Sequence, residues 1–199
     1  MYELQHIPTA VDAVVGPLLE EGEGVRAVRS GGDTISLFPG ALRALQRVHA
    51  GEYDGAAEAG GSGALRLALA SSANTPRAVA IGRAALGLLE VAPGATVLDV
   101  LRRGWPAGFE GHLQVGRSPP LSAQKWRTHF PALRDATGVP YGGMLFFDDA
   151  NWDDHCALVA ARCPGVVAQR TPRGLTEAEW EAGLRAFAHK KCGTKKGAV

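Results

Sequence analysis

The sequence predicts an α/β fold in which helices cover both faces of a mostly parallel sheet. Short apolar runs at residues 65–70 and 144–147 are typical of buried parallel strands. Segments with apolar side chains at helical spacing alternate with these runs along the chain. The length of 199 residues, with 46% hydrophobic and 21% charged residues, fits one globular domain with a substantial core.

Charge and cysteine content limit the kinds of partner to expect. Lys and Arg total 21 against 20 Asp and Glu, so nothing favours a nucleic acid or an anionic surface. The three cysteines lack metal-ligand spacing and indicate thiols in a reducing compartment. No stretch has the length of a membrane helix or the pattern of a secretory signal. We expect a cytoplasmic monomer without membrane or nucleic-acid partners, whose function depends on a local site.

The N-terminal part of the sequence is the least informative. Residues 1–30 contain apolar pieces without a clear period, and we predict loop with at most one short helix. We expect a single domain over residues 1–189, poorly defined over residues 1–34, followed by a basic flexible tail at residues 190–199.

The first predicted helix covers residues 39–50. Pro39 suits a first helical turn, and Leu42, Leu45 and Val48 share one face. The helix is therefore expected to pack on the core.

Two Gly- and Pro-rich stretches, residues 51–63 and 92–120, are predicted to be long surface loops. A short strand is expected within the second stretch, at residues 112–115.

Hydroxyl groups follow the predicted strand at residues 65–70. Ser71 and Ser72 lie between this strand and a helix that Thr75 can cap and Pro76 can begin. Backbone amides at a helix N-terminus favour anions, so these hydroxyls are candidates for binding a phosphate oxygen. Simple helix capping is the alternative.

Lys125 has an unusual predicted position. The pattern indicates a helix over residues 122–137, closed by Gly138, with Lys125 in its first turn. The helix dipole disfavours a cation at that end, so the placement suggests a functional lysine. A solvated lysine is the alternative.

The apolar run at residues 144–147 leads directly into Asp148 and Asp149. Consecutive side chains of a strand point to opposite faces, so only one of these acids can face a given ligand. Ligands collect at the carboxyl ends of parallel strands, where an acid pair suits a hard cation such as Mg²⁺. Capping of the following helix is the alternative.

The C-terminal part alternates in the same way. We predict a helix at residues 151–160, a strand at 166–168 and a helix at 176–188. Thr176 and Glu179 have the spacing of a capping box at the start of the last helix.

The chain order of Ser71, Lys125 and Asp148-Asp149 resembles the second, third and fourth motifs of the haloacid dehalogenase phosphatase superfamily. Over residues 35–188 the chain is more closely similar to the magnesium-dependent phosphatase family of acid phosphatase type. The blocks that carry this similarity are Ser-Leu-Phe-Pro-Gly at 36–40, Ala-Ser-Ser-Ala-Asn-Thr-Pro at 70–76, Thr-Gly-Val-Pro-Tyr at 137–141 and Met-Leu-Phe-Phe-Asp-Asp at 144–149.

The resemblance implies a three-layer, Rossmann-like fold and Mg²⁺-dependent hydrolysis of a phosphomonoester, either phosphotyrosine or a small sugar phosphate, through an aspartyl-phosphate. It implies that Ser71, beside Ser72, binds a phosphoryl oxygen and that Lys125 offsets the charge of nucleophile and phosphate. Asp149, with Asp148 beside it, would hold Mg²⁺. Asp153 would be either a supporting group for the metal or a solvated acid.

The sequence departs from this family at three points. Ser72 stands where the family commonly has an arginine, and Lys125 lies four rather than three residues before His129-Phe130. The family's opening Asp-x-Asp-x-Thr motif, which supplies the nucleophile and the general acid/base, has no counterpart, because only Asp12, Asp33 and Asp54 precede Ser71.

We therefore expect the first, central strand of the family fold to be missing. A truncated form of a longer phosphatase is the favoured explanation, with a natural, catalytically inactive phosphate-binding or interaction protein as the competing one. A small-ligand domain without phosphate chemistry is a third.

Overall fold

The computed structural model describes residues 11–55 and 65–195, which form nine strands and six α-helices. The strands are β1 (Asp12–Pro17), β2 (Glu23–Ser30), β3 (Asp33–Ser36), β4 (Leu69–Ser71), β5 (Glu90–Ala92), β6 (Ala95–Thr96), β7 (Leu113–Val115), β8 (Leu145–Asp148) and β9 (Val167–Arg170). The helices are α1 (Pro39–His49), α2 (Pro76–Leu88), α3 (Val97–Arg102), α4 (His129–Thr137), α5 (His155–Arg162) and α6 (Glu177–Lys195).

The strands form four small sheets. β1, β2 and β3 make an antiparallel sheet and β5 pairs with β6 antiparallel, whereas β4–β7 and β8–β9 are separate parallel pairs. The prediction of a mixed α/β fold is confirmed. Within the described residues, the mostly parallel sheet that was predicted without its central strand is present only as two separate parallel pairs, because β4 and β8 each have a strand partner on one side only.

The N-terminal prediction of a loop was wrong over its described part. Residues 12–36 form the β1–β2–β3 meander, with a short 3-10 helix at Leu19–Glu21, and residues 1–10 lie outside the described part. Gly31, with a φ of 62°, and Gly32 make the tight turn between β2 and β3. A Gly-Gly pair between two extended segments is a hairpin signal.

The second long-loop prediction was also wrong in part. Between residues 92 and 120 the chain forms β6, α3 and β7, of which only β7 was predicted. Thr96 and Asp99 form a reciprocal capping box at the start of α3. Of the first predicted loop, residues 51–55 form turns, and residues 56–64 lie outside the described part of the chain.

Helices α1, α2 and α6 were predicted within a few residues of their observed starts. Thr75 accepts a hydrogen bond from Ala78 N (3.0 Å) at α2, and Thr176 and Glu179 form the predicted capping box at α6. α6 extends to Lys195, through the first residues of the predicted tail.

Helices α4 and α5 begin later than predicted. α4 begins at His129 rather than Ser122, since the Ser122 amide and hydroxyl bond to the Thr128 hydroxyl (3.1 and 3.2 Å). Side-chain bonds of this kind compete with helical ones. α5 begins at His155.

Two hydrophobic clusters support these elements. The larger cluster contains Val28, Val91, Val100 and Trp180 and joins the β1–β2–β3 sheet to α1, α2, α3 and α6. The smaller one is built on β8, α4 and α5, with its buried members Phe130, Phe146, Cys156, Val159, Cys163 and Val166. Within the described residues, no helix combines the length and hydropathy that a membrane span requires.

Candidate functional site

The carboxyl ends of β4 and β7 lie side by side. Ser71 is opposite Val115 in the parallel register, and the amide of Gly116 donates to the Ser71 carbonyl oxygen (2.7 Å). Nε of Arg117 donates to the carbonyl oxygen of Ser72 (3.1 Å). The hydroxyl groups of Ser71 and Ser72 form no hydrogen bond within the described part of the chain, so both remain able to donate to a ligand.

A buried histidine, His129, closes this strand end. Its Nε2 lies 3.1 Å from the carbonyl oxygen of Ser71 and 3.0 Å from that of Gly116. Because carbonyl oxygens only accept, Nε2 carries the proton and donates to both. Nδ1 lies 3.2 Å from the Thr128 hydroxyl, which can donate to it.

The ionisation of His129 agrees with this arrangement. Its side chain is fully buried, and burial lowers the pKa of its imidazole below the ordinary value. A neutral ring protonated at Nε2 satisfies the two carbonyl groups. The neutral imidazole of His129 therefore joins the ends of β4 and β7 through its two hydrogen bonds.

The carboxyl end of β8 carries a buried ion pair. Asp148 Oδ2 contacts Lys125 Nζ, and Asp148 Oδ1 accepts a hydrogen bond from the amide of Ala150 (2.9 Å). The side chains of Lys125 and Asp148 are 11% and 5% exposed, respectively. The lysine ammonium also lies 5.5 Å from the ring centre of Phe146. The pair thus neutralises the two charges inside the protein.

The Asp148 charge affects a neighbouring thiol. Burial, followed by repulsion from Asp148, raises the pKa of Cys156 to about 12. Cys156 is therefore a protonated packing group rather than a nucleophile.

One segment, residues 122–130, connects the two parallel strand pairs; we call it the linking segment. Lys125 in this segment contacts the end of β8, and His129 contacts the ends of β4 and β7. The Lys125 carbonyl accepts a hydrogen bond from the amide of Phe130 (3.0 Å), which fixes the spacing between the two groups. The described structure thus ties Ser71, Lys125 and Asp148 into one network.

Two of the sequence-based interpretations change. Lys125 lies before α4 rather than in its first turn, so its function is indicated by its pairing with Asp148 and not by a helix dipole. The cap of α5 is Asp154, whose carboxylate accepts from Ala157 N (2.9 Å). The helix-cap alternative for Asp148 and Asp149 was therefore wrong.

The two adjacent acids have different environments. Asp148 is buried and paired, whereas Asp149 is exposed and has no partner within the described residues. Asp153 is also exposed and unpaired there. No group of three or more His, Cys, Asp or Glu side chains in the described part of the chain is close enough to hold a metal ion. Among the predicted metal ligands, Asp149 has the free carboxylate that a hard cation requires.

Sequence reasoning missed the roles of His129 and Arg117. His129 follows Thr128 in an ordinary helix pattern, and nothing in that pattern indicates that its ring spans two strand ends. Arg117 follows Gly116 in a stretch that was interpreted as loop. Its position depends on the parallel pairing of β7 with β4.

Polar and charged groups at the carboxyl ends of parallel strands are typical of ligand sites in α/β proteins. Comparison with protein families matches the family described as Acid Phosphatase over residues 7–190. The chain therefore belongs to the acid phosphatase family. A search of curated proteins found no match.

Proposed function

We propose that this protein is a phosphatase of the haloacid dehalogenase superfamily that binds phosphomonoesters at the carboxyl ends of β4 and β8. The observation that carries the proposal is the linking segment, which contacts Ser71 through His129 and Asp148 through Lys125. Membership of the acid phosphatase family supports phosphate ester hydrolysis as the reaction. Phosphotyrosine and small sugar phosphates are the proposed substrates.

Each residue has a distinct proposed role. The hydroxyls of Ser71 and Ser72 donate to phosphoryl oxygens, and Lys125, oriented by Asp148, offsets the charge that accumulates at the reacting phosphate. Asp149 is the proposed ligand of Mg²⁺, with Asp148 beside it. The metal would supply positive charge to the phosphoryl oxygens when bound.

The nucleophile is proposed to come from a strand between β4 and β8. Both strands have an edge without a strand partner within the described residues, and such edges accept an added strand. An Asp-x-Asp-x-Thr motif at the end of that strand would place its first carboxylate beside Lys125. The carboxylate would attack phosphorus as the bond to the leaving oxygen breaks, and water would then hydrolyse the aspartyl-phosphate. The 199-residue sequence contains no Asp-x-Asp-x-Thr motif.

The test compares the 199-residue chain with a version extended at its N-terminus by an apolar strand that ends in Asp-x-Asp-x-Thr. We expect negligible hydrolysis of an aryl phosphate by the former and Mg²⁺-dependent hydrolysis by the latter. Ser71→Ala and Lys125→Met should each abolish most of the gained rate, and Arg127→Gln, an exposed change in the same segment, should not. Hydrolysis by the 199-residue chain that does not require Asp149 would contradict the assignment.

A catalytically inactive phosphate-binding protein is the second candidate, and the absence of the Asp-x-Asp-x-Thr motif favours it. This candidate predicts that the unextended chain binds phosphate esters with Ser71 as a ligand and that the extended chain gains no turnover. The same pair of proteins therefore distinguishes the two functions.

A further inference from the structure

The side-chain cations assigned so far to the proposed phosphate site do not balance the negative charge of its ligand. A phosphate monoester carries up to two negative charges near neutral pH. Lys125 is the predicted cation, but its ammonium group is already paired with the buried carboxylate of Asp148. Ser71 and Ser72 contribute neutral hydroxyls. Besides the proposed Mg²⁺ ion, a dianion at this site therefore calls for a further cation from the protein.

Arg117 is a cation that lies beside the two serine hydroxyls. Its Nε donates to the Ser72 carbonyl (3.1 Å), so the guanidinium lies against the turn that carries both hydroxyls. The side chain is exposed, and its two terminal amino groups have no partner within the described residues. A guanidinium fixed through Nε presents those two groups as a planar fork, which matches two oxygens of a phosphate.

The backbone conformation of Gly116 also places Arg117 beside the Ser71-Ser72 turn. Gly116 has a φ of 123°, which is strained for residues with a side chain, and an added Cβ would lie 3.3 Å from Val79 Cγ2. The Gly116 amide and carbonyl are bound to Ser71 and His129, respectively. The chain therefore turns at a fixed point, one residue before Arg117.

We propose that Arg117 is the phosphate-binding cation of this protein and that the ligand is a phosphate monoester in its dianionic form, bound by Arg117 together with Ser71 and Ser72. This inference rests on the proposed function, because it assumes that phosphate binds at the end of β4. It assigns a specific task to a residue from the loop after β7. Lys125 then serves the reacting centre rather than the binding of the ground-state dianion.

Arg77 provides a matched control. It is also exposed, lies in the first turn of α2 five residues after Ser72, and forms no hydrogen bond with Ser71 or Ser72 within the described residues. Arg77→Gln and Arg117→Gln remove the same charge from neighbouring surfaces. If the two arginines act only through general electrostatic attraction, both substitutions should weaken binding similarly. If Arg117 contacts the ligand directly, Arg117→Gln alone should weaken it.

The experiment measures binding of phenyl phosphate and inorganic phosphate to the 199-residue protein by isothermal titration calorimetry and amide chemical shifts. We expect Arg117→Gln to weaken both ligands about tenfold or more and Arg77→Gln to weaken them less than about threefold. Arg117→Lys should be intermediate, since a lysine keeps the charge but not the fork. Binding of phenyl phosphate should strengthen as pH rises through about 6, where the dianion forms.

Each outcome decides between the alternatives. If the unaltered protein binds phosphate with shifts at Ser71 and Ser72 but Arg117→Gln and Arg77→Gln weaken it equally, the assignment of Arg117 is wrong and the proposed function stands. If the unaltered protein binds neither ligand, both proposals are wrong. Thermal melts of the two variants should match that of the unaltered protein, because both side chains are exposed.

Discussion

At the residue scale, the buried Lys125–Asp148 pair is the most informative feature of the site. Burying two charges costs more free energy than a surface pair, and the mutual attraction mainly offsets that cost. The pair is thus weak evidence for stability and stronger evidence for a required position of the ammonium group. The Asp148 bond to the Ala150 amide and the Phe146 ring under Lys125 hold the two groups in one geometry.

Lys125→Met should lower the free energy of unfolding by about 3–5 kcal/mol, because it leaves the Asp148 carboxylate buried and unpaired. The double change Lys125→Met with Asp148→Asn should recover part of this loss. Urea denaturation measures both effects. Asp149→Asn, at the neighbouring exposed acid, should change stability by less than about 0.5 kcal/mol. Equal effects of the Lys125 and Asp149 substitutions would show that the pair is not buried in solution.

Buried histidines should make the fold sensitive to acid. The side chain of His112 is fully buried, and this burial lowers the pKa of its imidazole below the ordinary value. The unfolded chain therefore binds a proton near pH 6.5, whereas the folded chain binds it only at a lower pH. The free energy of unfolding thus decreases as pH falls from about 6.5 toward the lowered pKa. The slope is at most about 1.4 kcal/mol per pH unit for one histidine.

His112→Phe should reduce that acid sensitivity. The imidazole is stacked at 5.4 Å on Trp105 and 5.7 Å on Phe109 (ring centroids), and a phenyl ring can keep this packing. We expect a smaller loss of unfolding free energy between pH 6.5 and 5 than in the unaltered protein, measured by urea denaturation at each pH. His49→Gln, at an exposed histidine, is the control. A steeper slope in His112→Phe would refute the argument.

At the scale of elements, the contact of α1 with the start of α6 constrains one glycine. A Cβ on Gly40 would lie 2.4 Å from the Leu175 carbonyl oxygen and 2.6 Å from Thr176 Cα. Both are backbone atoms, so a larger side chain would force the helices apart. Gly40 is therefore needed for close approach.

Gly40→Ala should destabilise the fold by about 1–3 kcal/mol through this overpacking. Gly82→Ala is the matched control, since Gly82 lies within α2 and an added Cβ would meet nothing within 4 Å. The control should be stabilising by up to about 1 kcal/mol, because alanine favours the helix over glycine. Thermal melts of both variants test the pair. If both substitutions changed stability in the same direction, helix propensity rather than the α1–α6 contact would decide the outcome.

At the scale of the whole molecule, the linking segment joins the two parallel strand pairs, which share no common sheet within residues 11–55 and 65–195. β1 pairs with β2, so residues 12–17 do not fill the edges of β4 and β8. Under the proposed function, an added strand there would complete a central parallel sheet and bring further carboxylates to the Asp149 side. Stability, metal binding and catalysis should therefore change together.

We expect the 199-residue chain to bind Mg²⁺ with millimolar or weaker affinity, about 4 kcal/mol or less of binding free energy. Asp149 offers one carboxylate, and Mg²⁺ loses its hydration water reluctantly. Extension by a strand that ends in Asp-x-Asp-x-Thr should tighten binding and raise the melting temperature, as calorimetry can measure. Asp149→Asn should remove the gain in affinity but not the gain in melting temperature. Equal affinity of the short and extended chains would show that Asp149 is not a metal ligand.

Local signals in the sequence determined much of the α/β alternation. Thr75-Pro76 and Thr176 with Glu179 define helix starts through bonds to nearby amides, and Gly138 ends α4 in a left-handed conformation with a φ of 70°. These interactions involve residues a few positions apart, so the sequence alone is sufficient. The N-terminal meander was missed because its strands have little apolar alternation, and β1 leaves Val15 65% exposed.

Only the tertiary structure decided which functional candidates act together. The sequence pointed to Ser71, Lys125 and the acid pair, but the choice of Asp148 as the partner of Lys125 depends on the fold of the linking segment. The contacts of His129 and Arg117 with the Ser71-Ser72 turn likewise depend on parallel pairing between strands about 40 residues apart. Contacts between distant residues arise from packing and strand register, which leave no local pattern in a single sequence.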